Sequence, residues 1–181
     1  MTLYEPKFWV DFPNLPQVPT SWRGLEKILP DIITRFSLKT DLAVEFGVWH
    51  GFSTAALACN FARVIGVEPF TGDRLPGTED VPMIETTRKT LAPWPNVELV
   101  ESGFFEYACP DADLIHTDIV HTYPMTFACG VLALKHTRCG IFHDTESFPE
   151  VKAALADLAQ ISGFTFYNYP YHEGLGILVK E

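Results

Sequence analysis

Basic residues are scarce in this 181-residue chain: 13 Lys and Arg stand against 23 Asp and Glu, a formal net charge of -10. Gripping duplex nucleic acid or an anionic membrane takes a cationic face that displaces counterions, so the charge balance argues against both partners. A small ligand carrying its own positive charge remains admissible. Long apolar runs are missing as well. No stretch reaches the about 18 residues that a membrane-spanning helix needs. Met1 to Pro19 lacks the basic start and apolar block of a secretory leader, so none is expected. The cysteines are few: Cys59, Cys109, Cys129 and Cys139 form no CxxC pair and no metal-finger spacing. Each sits beside apolar residues, and the expectation is four reduced, buried thiols in a cytoplasmic protein. What the chain does have is a 47% hydrophobic content, enough for a real core. Its length suits one domain, with 1–40 as an N-terminal arm and cover helix and 41–181 as the α/β body.

Four prolines in residues 1–20 (Pro6, Pro13, Pro16, Pro19) forbid a regular helix and predict an extended arm, whose aromatics Phe8, Trp9 and Phe12 suit docking on the same chain or on a second copy. Ser21 reads as an N-cap for Trp22, Leu25, Ile28, Leu29, Ile32 and Ile33 at helical spacing, interrupted by Pro30. From Leu42 onward short apolar runs alternate with amphipathic ones. Strands are predicted over 42–46, 63–67, 97–100, 113–117, 139–143, 164–169 and 175–179, and helices over 52–61, 82–91, 123–135 and 149–161. In the last helix Val151, Ala154, Leu155, Leu158 and Ile161 share a face, with Pro149 in the first turn and Gly163 at the C-terminal cap. Such alternation predicts a doubly wound, mostly parallel sheet of about seven strands. Only Pro170 to Gly174 separates the last two strands, too short for a parallel crossover, so the final strand is predicted antiparallel.

Polar residues gather where the predicted strands end. The first strand runs into Glu45, then Gly47 and Gly51 flank a turn before a helix that opens with Ser53 and Thr54. Glycines at a strand-to-helix turn let a ligand approach the backbone, and the first N–H groups of a helix suit a carboxylate or phosphate. The spacing is GxxxG, not the GxGxxG of a dinucleotide site. Glu68 ends the second strand, 21 positions after Gly47, where a carboxylate can accept from both hydroxyls of a ribose. Asp118 and Asp144 end two further strands, with His121 and His143 close by. Two carboxylates and an imidazole can hold a divalent ion, while the same histidines could serve as a general base, or merely cap the next helices.

These segments together, Glu45-x-Gly47-x-x-x-Gly51-x-Ser53-Thr54, Gly66-Val-Glu68, Asp113-Leu-Ile-His-Thr-Asp118-x-x-His121-x-Tyr123 and Gly140-Ile-Phe-His-Asp144, resemble the class I S-adenosylmethionine-dependent methyltransferases. They are most similar to the small branch with an IDGDHSY segment and a later HD. The resemblance runs from about Leu42 to the end and includes the closing antiparallel strand. It implies that the Glu45–Gly51 turn, with Ser53, holds the methionyl part of S-adenosyl-L-methionine. Glu68 takes the ribose hydroxyls, and Glu101-Ser102-Gly103 lies near the adenine. Asp118 and Asp144 stand where relatives with a metal hold Mg²⁺ against the acceptor oxygen, and Asp118, His121, His143 and Asp144 become the catalytic candidates. Where the branch has DGDH, this chain reads Asp118-Ile-Val-His121, without the glycine and the second acid. The function so implied is methyl transfer to a small molecule, at oxygen first. The acidic balance suits it, because the cofactor is a sulfonium. Two alternatives stay open: a cofactor-binding module of the same fold without turnover, and a metal-dependent hydrolase or hydroxylase-like enzyme built on the Asp/His cluster.

Overall fold

In the computed structural model, which describes residues 1–70 and 84–181, the apolar runs form one eight-stranded sheet. Its strands are β1 (Thr2–Leu3), β2 (Leu42–Phe46), β3 (Arg63–Glu68), β4 (Val97–Glu101), β5 (Leu114–Thr117), β6 (Cys139–His143), β7 (Thr165–Tyr169) and β8 (Leu175–Val179). They lie in the order β1-β7-β8-β6-β5-β2-β3-β4. β8 is antiparallel to β6 and β7, while every other pairing is parallel. The additional strand is β1, which joins the far edge through Thr2 opposite Tyr167 and Leu3 opposite Asn168. Two exposed residues carry no readable period, so only their pairing with a distant strand defines them.

Helices α2 (Phe52–Ala58), α3 (Ile84–Leu91), α4 (Tyr123–His136) and α5 (Pro149–Ser162) fill the crossovers. Pro82 and Met83 of the helix predicted from 82 lie outside the described residues. The cover helix predicted from Ser21 is not continuous. A short 3₁₀ turn over Leu25–Ile28 leads into α1 (Leu29–Arg35), with Pro30 in its first turn, where the missing N–H breaks no helical bond. In α5 the inward face is Val151, Ala154, Leu155 and Leu158, whereas Ile161 is exposed. Two thiols also depart from the expectation: Cys59 is exposed and Cys109 half-buried, while Cys129 and Cys139 are buried, and all four are free. Among the described residues no helix is long and apolar enough to cross a membrane.

The sheet is covered on both faces. On one, Leu25, Ile28, Leu29 and Ile32 of the cover and Ala55 to Leu57 of α2 pack on Ala43, Val64, Leu114, Ile141 and Ile177. On the other, α4 and α5 lie over Val44, Phe46, Ile115, Phe142, Phe166 and Leu178. Each fully buried Leu or Ile contributes about 1.5–3 kcal/mol by leaving water. The arm is pinned as well: the Tyr4 hydroxyl donates to buried Asp31 at 2.6 Å, and the Lys7 amide to the same carboxylate at 3.1 Å. Burial, then that hydrogen bond, pushes the Tyr4 phenol well above its ordinary pKa.

Topology places the crevice. The chain runs outward from β2 through β3 to β4, then returns with β5 on the other side of β2. In open α/β sheets ligands bind beyond the carboxyl ends of the strands at such a reversal, here the tips of β2 and β5.

Candidate active site

The turn after β2 is held against the tip of β5. Gly47 adopts φ +95°, and its amide donates to the Val67 carbonyl at 3.1 Å, while the Asp118 amide donates to the Phe46 carbonyl at 2.8 Å. A Cβ on Gly47 would stand 1.7 Å from the Asp118 carbonyl oxygen, so no other residue fits. Gly51, at φ +85°, opens α2 with its Cα packed over Leu91. The glycine turn and Asp118 are thus in direct contact.

Beneath this turn lies a closed polar chain. Glu45 on β2 and His116 on β5 are register partners, both wholly buried, with His116 Nδ1 2.9 Å from Glu45 Oε1. The Trp22 indole N–H of the cover donates to His116 Nε2 at 3.2 Å, and the Thr54 hydroxyl of α2 donates to Glu45 Oε2. An indole N–H can only donate, so Nε2 is the acceptor and Nδ1 carries the proton given to Glu45. Glu45, expected in contact with the cofactor, therefore engages both oxygens inside the protein. Thr54 likewise points inward to Glu45.

At the mouth of the crevice the four catalytic candidates meet. His121 Nε2 lies 3.1 Å from Asp118 Oδ1 and 2.9 Å from Asp144 Oδ2. His143 Nδ1 lies 3.1 Å from Asp118 Oδ2 and 3.5 Å from Asp144 Oδ2, and its Nε2–H donates to the His172 carbonyl at 3.3 Å. Asp144 sits at φ +66°, a left-handed conformation that costs a non-glycine residue about 1–2 kcal/mol and collects at functional sites. Burial works against the charged forms of Asp118, His121 and His143, but the ion pairs win. His121 is pushed up to about 9 by its hydrogen bonds to Asp118 and Asp144. His143 is also raised, chiefly by Asp118, and hydrogen bonds from both rings hold Asp118 well below the usual carboxylate range. The Phe148 ring stacks on His121 with centroids 4.4 Å apart.

This donor set fits a divalent cation. Ligand atoms of Asp118, His143 and Asp144 all lie within 4.8 Å of one another. The bond from His143 Nε2 to a backbone carbonyl fixes Nδ1 as the nitrogen facing the two acids, the usual outer support of a metal-bound histidine. Mg²⁺ would favour the carboxylates, whereas Mn²⁺ or Zn²⁺ would also accept the imidazole.

Glu68 and Ser102 form the opposite rim. The Ser102 amide donates to the Glu68 carbonyl at 3.2 Å, Glu68 Oε1 accepts from the Phe70 amide at 3.2 Å, and the Ser102 hydroxyl donates to the Gly103 carbonyl. Ser53 is half-buried in the first turn of α2. Sequence reading passed over His116, Trp22 and His172. A signal for His116 existed, since Glu45 and His116 each place an ionisable side chain inside a buried strand. Trp22 and the His172 carbonyl gave none, because their contacts join parts of the chain 94 and 29 residues apart.

No protein-family model matches the chain, and no curated protein sequence matches it. Solved structures do match in shape. A candidate caffeoyl-CoA O-methyltransferase from Staphylococcus aureus aligns at TM-score 0.64 and 17% identity, over 92% of this chain and 86% of that one. The SAH-bound methyltransferase PaMTH1 of Podospora anserina gives 0.61 and 13%, over 86% and 79%. The N-methyltransferase NodS of Bradyrhizobium japonicum WM9 gives 0.56 and 12%, over 87% and 96%. The chain shares the Rossmann-like methyltransferase fold of these structures, eight-stranded here with the last strand antiparallel.

Proposed function

We propose that the protein transfers the methyl group of S-adenosyl-L-methionine to a small-molecule acceptor, with oxygen the favoured atom, in the crevice beyond β2, β3, β5 and β6. The observation that carries this reading is the packing of the Gly47 turn on Asp118, which sets a cofactor cradle beside a carboxylate–imidazole cluster. The Gly47–Gly51 turn and Ser53 receive the methionyl part, Glu68 accepts from the ribose hydroxyls, and Ser102 borders the adenine. Glu45 supports the turn from beneath. When bound, the cofactor supplies a methyl group already activated on a sulfonium. The protein's work is then to align an acceptor with it, an effect worth about 7–11 kcal/mol at the favourable limit.

Asp118, His121, His143 and Asp144 face the acceptor. At neutral pH the His121 imidazolium, pushed up to about 9, lies between the carboxyl groups of Asp118 and Asp144, and a divalent cation would offer the same pair a positive charge. Asp118, Asp144 and His143 would hold Mg²⁺, which would keep an acceptor oxygen in its anionic form. His121, stacked under Phe148, holds a proton at Nε2 at the edge of that position.

The test is calorimetric titration with S-adenosylmethionine and S-adenosylhomocysteine, with and without Mg²⁺, followed by mass spectrometry of a panel of hydroxylated acceptors. Heat with both ligands and methylated product support the reading. Absence of heat with either sinks it, and binding without product across the panel favours a module without turnover.

A further inference from the structure

We propose that His116 is a positioning residue of the cofactor site, locking the N-terminal cover onto the glycine turn through the chain Trp22–His116–Glu45–Thr54. The inference rests on the cofactor site proposed above. Four separate elements meet in this chain: the cover, β5, β2 and α2. All four side chains are buried, with His116, Glu45 and Thr54 wholly so. Only one arrangement of protons satisfies it. Trp22 can only donate, so His116 accepts at Nε2 and donates from Nδ1, and Glu45 accepts at both oxygens. A neutral ring with the opposite tautomer would set two N–H groups against each other and leave a carboxylate oxygen bare in a dry site.

The consequence is geometric. Glu45 and His116 face one another across the β2–β5 register, and Gly47 and Asp118 follow each of them by two residues. The bond between the first pair fixes the relative height of the two strand tips. It thereby sets the contact of the Gly47 turn with the Asp118 carbonyl. Trp22 also packs its ring near both His116 and His143, at centroid separations of 5.0 and 6.4 Å. The cover is therefore part of the cofactor site's support.

The experiment pairs nitrogen-15 NMR of the full-length chain with calorimetric titration by S-adenosylhomocysteine. In the wild type His116 should show a protonated Nδ1 and an acceptor Nε2, and Trp22→Phe should keep the proton on Nδ1, held by Glu45, while shifting the Nε2 resonance as its hydrogen bond is lost. Loss of a bond to a charged group predicts that His116→Leu binds S-adenosylhomocysteine at least about tenfold more weakly, with Trp22→Phe weaker by about threefold. His116→Asn keeps a donor toward Glu45 and should stay within about threefold of wild type. If His116→Leu does not fold, Trp22→Phe and His116→Asn carry the test. A merely structural role would lower melting temperatures yet leave the affinity of the folded variants unchanged, and that outcome overturns the proposal. So does a wild-type His116 protonated at Nε2, which leaves the cofactor reading intact. A wild type that binds no S-adenosylhomocysteine overturns both.

Discussion

Two carboxylate–imidazole groups sit side by side at the tips of β2, β5 and β6, and they behave in opposite ways. Glu45 and His116 are wholly buried, with a donor-only indole at one end and a hydroxyl at the other. Just beyond β5, Asp118 begins a cluster that is partly open, with His121 at 30% and Asp118 at 25% exposed above a wholly buried His143. In the first group every polar proton and each carboxylate oxygen has an assigned partner. In the second, His121 Nε2 and His143 Nδ1 each face both acids, and the positive charge beside those acids can come from protons or from a cation. Closure suits the first group to holding the strand tips in place. Openness leaves the second free for chemistry.

The largest expected effect comes from breaking the closed group. Glu45→Ala leaves the His116 N–H and the Thr54 hydroxyl without their acceptor in a dry site, about 1–3 kcal/mol for each, and should destabilise the protein in urea unfolding by about that sum. Asp118→Asn, at the open cluster, should lose less than half of that. Equal losses would erase the distinction between the two groups.

Gly47→Ala strikes the contact between them. The positive φ costs about 1–2 kcal/mol and the clash with the Asp118 carbonyl about 1–3 more, so reduced stability and loss of S-adenosylhomocysteine binding are expected together. Retained affinity would mean that the turn is not the cradle.

A third effect separates the groups by pH. His121 is raised to about 9 from an ordinary 6.5. A raised folded-state pKa gives stability fully present below about 6.5 and lost as pH rises through about 9. Ligand-free protein should therefore lose part of its stability between those values, and His121→Gln should flatten that slope. An identical slope in the variant would remove His121 from the ion-pair account. The smallest effect on folding is expected at the rim. Glu68→Ala should leave the melting temperature nearly unchanged while weakening S-adenosylhomocysteine binding about 10–100-fold, the worth of hydrogen bonds to a charged group. Unchanged affinity there would refute the ribose assignment.

Much of this arrangement is legible from sequence because parallel strands buried on both faces read as plain apolar runs, and a polar residue just beyond each run must lie at a sheet edge. That logic found Asp118, His121, His143 and Asp144, which the structure brings together, and Glu68 beside Ser102. It failed wherever a contact was made by distant chain segments. β1 has two residues and no pattern, and its identity lies in its pairing with Tyr167 and Asn168. Glu45 looked like a ligand-facing strand end because the partners that turn it inward, Trp22 and His116, are 23 and 71 positions away. Pro30 announced an interruption in the cover. It could not say that the chain would take a 3₁₀ turn before it.

The most direct test of the central claim is a crystal structure of the protein with S-adenosylhomocysteine, grown with and without Mg²⁺. The account predicts the ribose hydroxyls on Glu68 and the methionyl end over the Gly47–Gly51 turn, with the sulfur directed toward Asp118 and Asp144. A nucleoside bound elsewhere, or a turn that must unpack from the Asp118 carbonyl to admit it, would contradict the account.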